Sequence, residues 1–188
     1  MRLNRLIPAA AVITLLTVTL GAAEPTVKIA VFDFELQDFS AAEAQTPDAI
    51  DARYLTEATD QTRRLLTQDP HYRLIDATST SAPEAKNRTL RDCNGCEAGI
   101  ARELGADRSL IGIVSRISRT EFTVKIQIRD AKTAALITEQ TTPLQMGANY
   151  AWPRGATHLV KDHLLSTQAK WQLATVRPPA SHSRPPKR

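Results

Sequence analysis

Cys93 and Cys96 are the chain's two cysteines, and they sit in a single segment, RDCNGCEAGIARELGA, residues 91 to 106. Cys-x-x-Cys spacing supports three chemistries. In an oxidising compartment the pair closes a small disulfide ring through the turn-prone Asn94-Gly95. Set at the start of a helix, the same pair can exchange disulfides, because a helix N-terminus favours the thiolate. As thiolates the two could hold zinc, which needs further ligands at close spacing, and no second cysteine pair exists. Haem attachment would need histidine at 97, where the chain has Glu97. Redox pairs usually follow a central strand directly, and here a long polar connection comes first. The favoured reading is a structural disulfide between Cys93 and Cys96, with thiol exchange as the alternative.

Other chemistry-bearing residues are sparse. Asp33 and Glu35 close a strand-like run, where carboxylates can meet a ligand or do acid–base work. They are candidate ligand residues, though a strand emerging into solvent also explains them. His158 and His163 are five apart rather than four, so they do not stack on one helix face as zinc ligands would. Trp152, Arg154 and Gly155 precede a helical segment. An indole and a guanidinium in a loop are common anchors for a partner, and these three are the candidate partner-binding residues. The favoured reading of Trp152 itself is nevertheless that it plugs the core edge while Pro153 starts the helix, with partner binding as the alternative. Asn87-Arg88-Thr89 matches a glycosylation sequon, which has no force in a bacterial host. The chain has no phosphate loop, nucleophile elbow, dinucleotide fingerprint or His-Glu-x-x-His. The residues therefore predict no catalytic residue, no metal, no cofactor and no enzyme.

The elements that must position these residues follow from periodicity. VKIAVFDFE, from Val27 to Glu35, reads as a central strand, with Asp33 and Glu35 on one side and Phe32 and Phe34 on the other. Leu36 to Pro47 reads as a loop. Asp48 is placed to cap an amphipathic helix carrying Ile50, Tyr54, Leu55, Ala58, Thr62, Leu65 and Leu66. Asp69-Pro70 ends it, and Tyr72 to Ile75 form a strand. Glu97 to Leu104 form a short helix stopped by Gly105. Ser109 to Ile117 is apolar on both sides. Phe122, Val124, Ile126 and Ile128 alternate with Thr123, Lys125, Gln127 and Arg129, which marks a strand with one wet face. Leu136 to Leu144 reads as an edge strand, Gly147 to Gly155 as a loop, and about Ala156 to Leu173 as a last helix with His163 near its apolar side. The expected fold is α/β (α+β): a single mixed five-stranded sheet in the order β-α-β-α-β-β-β-α, with helices packed on it.

Residues 1–23 read as a signal peptide. Arg2 and Arg5 precede an apolar run from Leu6 to Leu20, and small residues flank a cut after Ala23. The run is shorter than the roughly 20 residues a spanning helix needs, and no later stretch reaches that length. The expected organisation is signal peptide 1–23, one secreted domain 24–176 and a Pro/Arg-rich tail 177–188. Removing Arg2 and Arg5 leaves 22 basic against 20 acidic residues. Four of the basic ones lie in the tail, so residues 24 to 176 hold 18 basic against 20 acidic. The basic pI belongs to the ends, and a nucleic-acid partner is not expected. The expected location is periplasmic or secreted and the expected partner another envelope protein, with weak tail contact to anionic surfaces.

Five segments in order carry a resemblance: KIAVFDFEL, CNGCEAGIARELGAD, LIGIVSRIS, IQIRDAKT and WPRGATHLVKDHLL. Over about residues 27 to 165 they resemble a family of small secreted bacterial proteins catalogued as a domain of unknown function. More distantly, the first strand, the ARELGAD helix and the RDAKTA hairpin resemble α/β domains of periplasmic assembly proteins such as the amino-terminal domain of TolB and the curli secretion protein CsgG. Ala134 stands where that hairpin usually has glycine. The resemblance implies an α/β fold and a periplasmic location, and it brings no catalytic residues with it.

Overall fold

The computed structural model describes residues 26–40, 47–77 and 89–166. The signal segment, Asn87 and the tail lie outside these. Strand β1 (Val27–Val31) is the sheet's buried spine, with Ile29, Ala30 and Val31 fully covered. It runs parallel to β3 (Tyr72–Ile75) on one side and to β4 (Arg108–Ser118) on the other. It stops four residues short of the expected Glu35. Pairing with β4 resumes in a separate strand, β2 (Glu35–Asp38). Val31 pairs with Leu110 and Glu35 with Ile113. Four steps along one chain therefore face three along the other, and such a surplus residue breaks a ladder and turns side chains over. As a result Phe32 and Phe34 pack into different clusters on opposite faces, not on one face as strict alternation implied.

β5 (Glu121–Asp130) pairs antiparallel with β4, and β6 (Leu136–Thr141) with β5. A two-residue strand, β7 (Gln145–Met146), also joins β5. Among the described residues the mixed sheet thus has seven strands in the order β3-β1-β4-β5-β6, with β2 on β4 and β7 on β5. The two additions to the expected five are the short pieces β2 and β7, too brief to show a period. β6 is the edge strand expected from the sequence.

Helix α1 (Ala49–Gln68) starts where Asp48 accepts the Ile50 and Asp51 N–H groups at 2.8 and 2.7 Å. Its Leu55, Ala58 and Leu66 are buried against the sheet. The other face of the sheet is covered over β1 and β4 by α2 (Cys96–Glu103). Beside α1 lies α3 (Trp152–Leu159), continued by a π-helical turn over Val160–Leu165. Together α1 and α3 cover the face lined by Phe122, Val124, Ile126 and Ile128. On the α2 side, Thr123, Lys125 and Gln127 of β5 stay in partial contact with water. Gly112 lets the Phe34 ring lie directly on β4, where a Cβ would strike it.

The β5–β6 turn explains the departure at Ala134. Asp130 Oδ1 accepts from the Lys132 and Thr133 N–H groups at 3.0 and 2.8 Å, and this folds the chain so that Ala134 takes φ 59°. A residue with a Cβ held in the left-handed region costs about 1–2 kcal/mol. Ala134→Gly is therefore expected to raise stability by about 1 kcal/mol, less the entropy glycine adds to the unfolded chain. A denaturant midpoint that stays fixed or falls would contradict this.

Candidate functional site

Cys93 and Cys96 are joined in a disulfide, with Cα atoms 5.6 Å apart. The ring closes because Asn94 and Gly95 both take positive φ, 50° and 109°, so Cys96 can open α2 straight after a short 3₁₀ turn at Leu90–Asp92. Both cysteines pack against the cluster of Ile100, Ala101 and Leu90. Cys93 Sγ lies 3.0 Å from the Leu90 carbonyl and 3.7 Å from Glu97 Oε2.

Glu97 was not singled out by its sequence position, yet it is 1% exposed. Its Oε1 lies 3.0 Å from Arg129 Nε as an ion pair, without the angle of a hydrogen bond. The alternation of β5 placed Arg129 on the wet face. That α2 would land on it is a tertiary fact with no local signature.

Asp33 and Glu35 are separated by the surplus residue and serve different partners. Asp33 is exposed and bonds Arg63 at 3.0 Å. Glu35 reaches across the sheet to accept the Leu90 and Arg91 N–H groups at 2.6 and 3.1 Å, which caps the turn before Cys93. Burial raises its pKa above the ordinary value, although those N–H bonds and the Arg91 charge pull the other way.

Trp152, Arg154 and Gly155 form no loop; they make up the first turn of α3, with Pro153 beside the start. Trp152 is 1% exposed and sits in the core with Phe34, Val114 and Leu159. Gly155 lets α3 approach β5 closely, since a Cβ there would stand 2.8 Å from Val124 Cγ2. Arg154 alone of the three is exposed. His163 is exposed as well, because the widened turn moves the apolar stripe to Val160 and Leu164. His158 pairs with Asp162 at 2.5 Å on the outer surface.

Over Trp152 lies a polar network whose residues carry no sequence motif. The Arg116 guanidinium stands 5.1 Å from the indole centre. It meets Asp38 Oδ2 at 2.9 Å and Asp51 Oδ1 at 2.5 Å, and Asn149 Nδ2 donates to the same Asp51 oxygen at 3.0 Å. Strands β2 and β4, helix α1 and the turn before α3 are thus tied at one end of the sheet. Burial raises the Asp38 pKa, but Ser40 hydrogen bonds and the Arg116 charge outweigh it and leave the carboxyl below its ordinary value. The stability Asp38 contributes is therefore present above the ordinary aspartate pKa and is lost as pH falls through its lowered one. Glu35 has the opposite sign: its contribution is full below the ordinary glutamate pKa and is lost as pH rises through the raised one. Urea midpoints should fall as pH drops below about 4, and Asp38→Asn should flatten that limb. An unchanged acid limb in the variant would contradict the assignment.

The same end of the sheet is apolar on its outside. The Phe39 N–H bonds the Arg116 carbonyl, and the Gly147 N–H bonds the Thr120 carbonyl, both at 2.8 Å. These bonds and the Asn149–Asp51 contact bring Phe39, Ile117, Leu144, Met146, Tyr150 and Ile50 to one end of the molecule. All six are between 43% and 68% exposed.

Residues 27–164 match DUF3280, a family described as a protein of unknown function (DUF2380). The chain belongs to the DUF3280 family. The match takes in the disulfide, the Arg116 network and the apolar end. No curated protein matches this DUF3280 chain. Among solved structures, the LpoB C-terminal domain from Salmonella enterica is similar at 18% identity and TM-score 0.45, over 66% of this chain and 88% of that one. Lipoprotein GNA1162 from Neisseria meningitidis is similar at 13% identity and TM-score 0.45, over 80% and 96%. TolB from Acinetobacter baumannii is similar at 11% identity and TM-score 0.43, over 78% of this chain and 30% of that one. Likenesses of this order leave the function to be argued from the chain itself.

Proposed function

We propose that this DUF3280 chain is an exported, non-enzymatic domain that binds another protein of the cell envelope through the apolar end of its sheet. The observation that carries the reading is the gathering of six large exposed apolar side chains at the end closed internally by Arg116. Scattered exposed apolar residues are ordinary, whereas a concentration of them on one surface marks an interaction site. The network beneath fixes the elements bearing Phe39, Ile117 and Tyr150, so little ordering remains to be done on binding.

Edge strand β6 adds a second contact. Its outer backbone groups face no strand among the described residues, Leu136 and Ile137 are exposed beside them, and Glu139 is its one charge. A partner segment can extend the sheet there. Export is read from residues 1–23, and no helix among the described residues is long and apolar enough to cross a membrane.

The test is capture from an envelope extract by wild type and by the Met146→Glu, Tyr150→Glu double variant. Both positions are exposed, so the variant should melt within about 0.5 kcal/mol of wild type while its specific partner is lost. A folded variant that retains the same partner at the same yield would overturn the reading.

A further inference from the structure

The disulfide segment contains more than a staple. Cys93 Sγ, Cys96 Sγ and a Glu97 carboxylate oxygen lie within 4.8 Å of one another. We propose that Cys93, Cys96 and Glu97 form a redox-gated zinc site, closed while the disulfide is intact and open to Zn²⁺ once the pair is reduced.

The sequence lacked a further ligand pair for zinc, and the fold supplies a third ligand from the residue next to Cys96. Glu97 divides its oxygens. Oε1 faces Arg129 at 3.0 Å, and Oε2 faces the Cys93 sulfur at 3.7 Å. One oxygen is therefore aimed at the sulfur pair while the other is held by an outer partner, the arrangement that orients carboxylate ligands at metal centres. Two thiolates and a carboxylate around Zn²⁺ sum to a charge of minus one, and Arg129 restores neutrality in a site where Glu97 is 1% exposed. Zinc accepts mixed sulfur and oxygen ligands and imposes no geometry of its own. Glu97 also borders a cavity of about 110 Å³ together with Asn94, Gln127 and Arg129, ample for one water.

The opening step balances. A dithiol reductant gives two electrons and two protons to the disulfide, leaving two protein thiols and the reductant's own disulfide. Zn²⁺ then displaces both thiol protons and forms two Zn–S bonds and one Zn–O bond. A disulfide oxidant closes the site again: it takes two electrons from the thiolates and two protons from solvent and leaves as a dithiol, while the Cys93–Cys96 bond re-forms and Zn²⁺ is released.

The experiment titrates Zn²⁺ against a chromophoric chelator, and Co²⁺ in parallel, with the full chain either oxidised or reduced anaerobically by a phosphine. The expected result is one ion per reduced chain, none per oxidised chain, and a thiolate-to-cobalt charge-transfer band. Glu97→Gln should weaken zinc at least as much as loss of an outer partner does, about 10-fold. The Cys93→Ser, Cys96→Ser double variant keeps the Glu97–Arg129 pair and should show no charge-transfer band. Equal affinity in the oxidised and reduced chains would overturn the proposal. So would a bound ion without the charge-transfer band, or folded Glu97→Gln binding as wild type does.

Discussion

Arg116→Met lowers stability by about 3–5 kcal/mol in this account, the usual cost of removing one partner from a buried ion pair. The Asp38 and Asp51 side chains are only 4% and 5% exposed, and Arg116 supplies the cation that both face. Methionine fills much the same volume, so the loss is the penalty of two uncompensated carboxylates rather than of a cavity. Contact with the Trp152 face adds about 0.5–2 kcal/mol. A cycle with Asp38→Asn and Asp51→Asn separates these parts: in the Arg116→Met background the two amides should restore much of the loss, because they leave no buried charge. Strong coupling is expected, since the residues share one network. A loss below about 1 kcal/mol for Arg116→Met alone would place the network at the level of an ordinary surface pair.

Trp152→Ala is the second large effect, at about 3–5 kcal/mol by cavity formation. The indole is 1% exposed among Phe34, Phe122 and Leu159. Its Nε1 has no hydrogen-bond partner among the described residues. Trp152→Phe therefore removes an unsatisfied donor as well as volume and should cost under about 1.5 kcal/mol. Arg154→Ala, two residues on and exposed, should move stability by no more than about 0.5 kcal/mol. Chemical denaturation of the three variants distinguishes a core residue from a surface anchor: were Trp152 an anchor, its alanine variant would fold as stably as wild type and lose only binding.

Elements with a strong local period were legible. The alternation from Phe122 to Arg129 predicted β5 and its two faces, and the Asp48 cap and Leu55-Ala58-Leu66 spacing predicted α1. Cys-x-x-Cys around Asn94-Gly95 pointed to the closed ring found in the structure. What sequence reasoning missed depends on register and contact. One surplus residue between Val31 and Glu35 split a strand and sent Phe32 and Phe34 to opposite faces. β2 and β7 owe their existence to the neighbours β4 and β5, not to any pattern of their own. Trp152 read as core before anchor, although an indole before a helix fits both; its burial among Phe34, Val114 and Leu159 agrees with the core. Arg116 meets Asp38 from 78 residues away, and Asn149 meets Asp51 from 98. Nothing at any one of those positions announces the others.

The central claim is that partners meet the apolar end of the sheet. A photoreactive residue placed at Met146, and separately at exposed Arg73 on β3, the edge of the sheet far from β6, tests it in the intact envelope. One discrete cross-linked protein is expected from position 146 and none from position 73. A cross-link from 73 alone, or the same product from both positions, would contradict the claim.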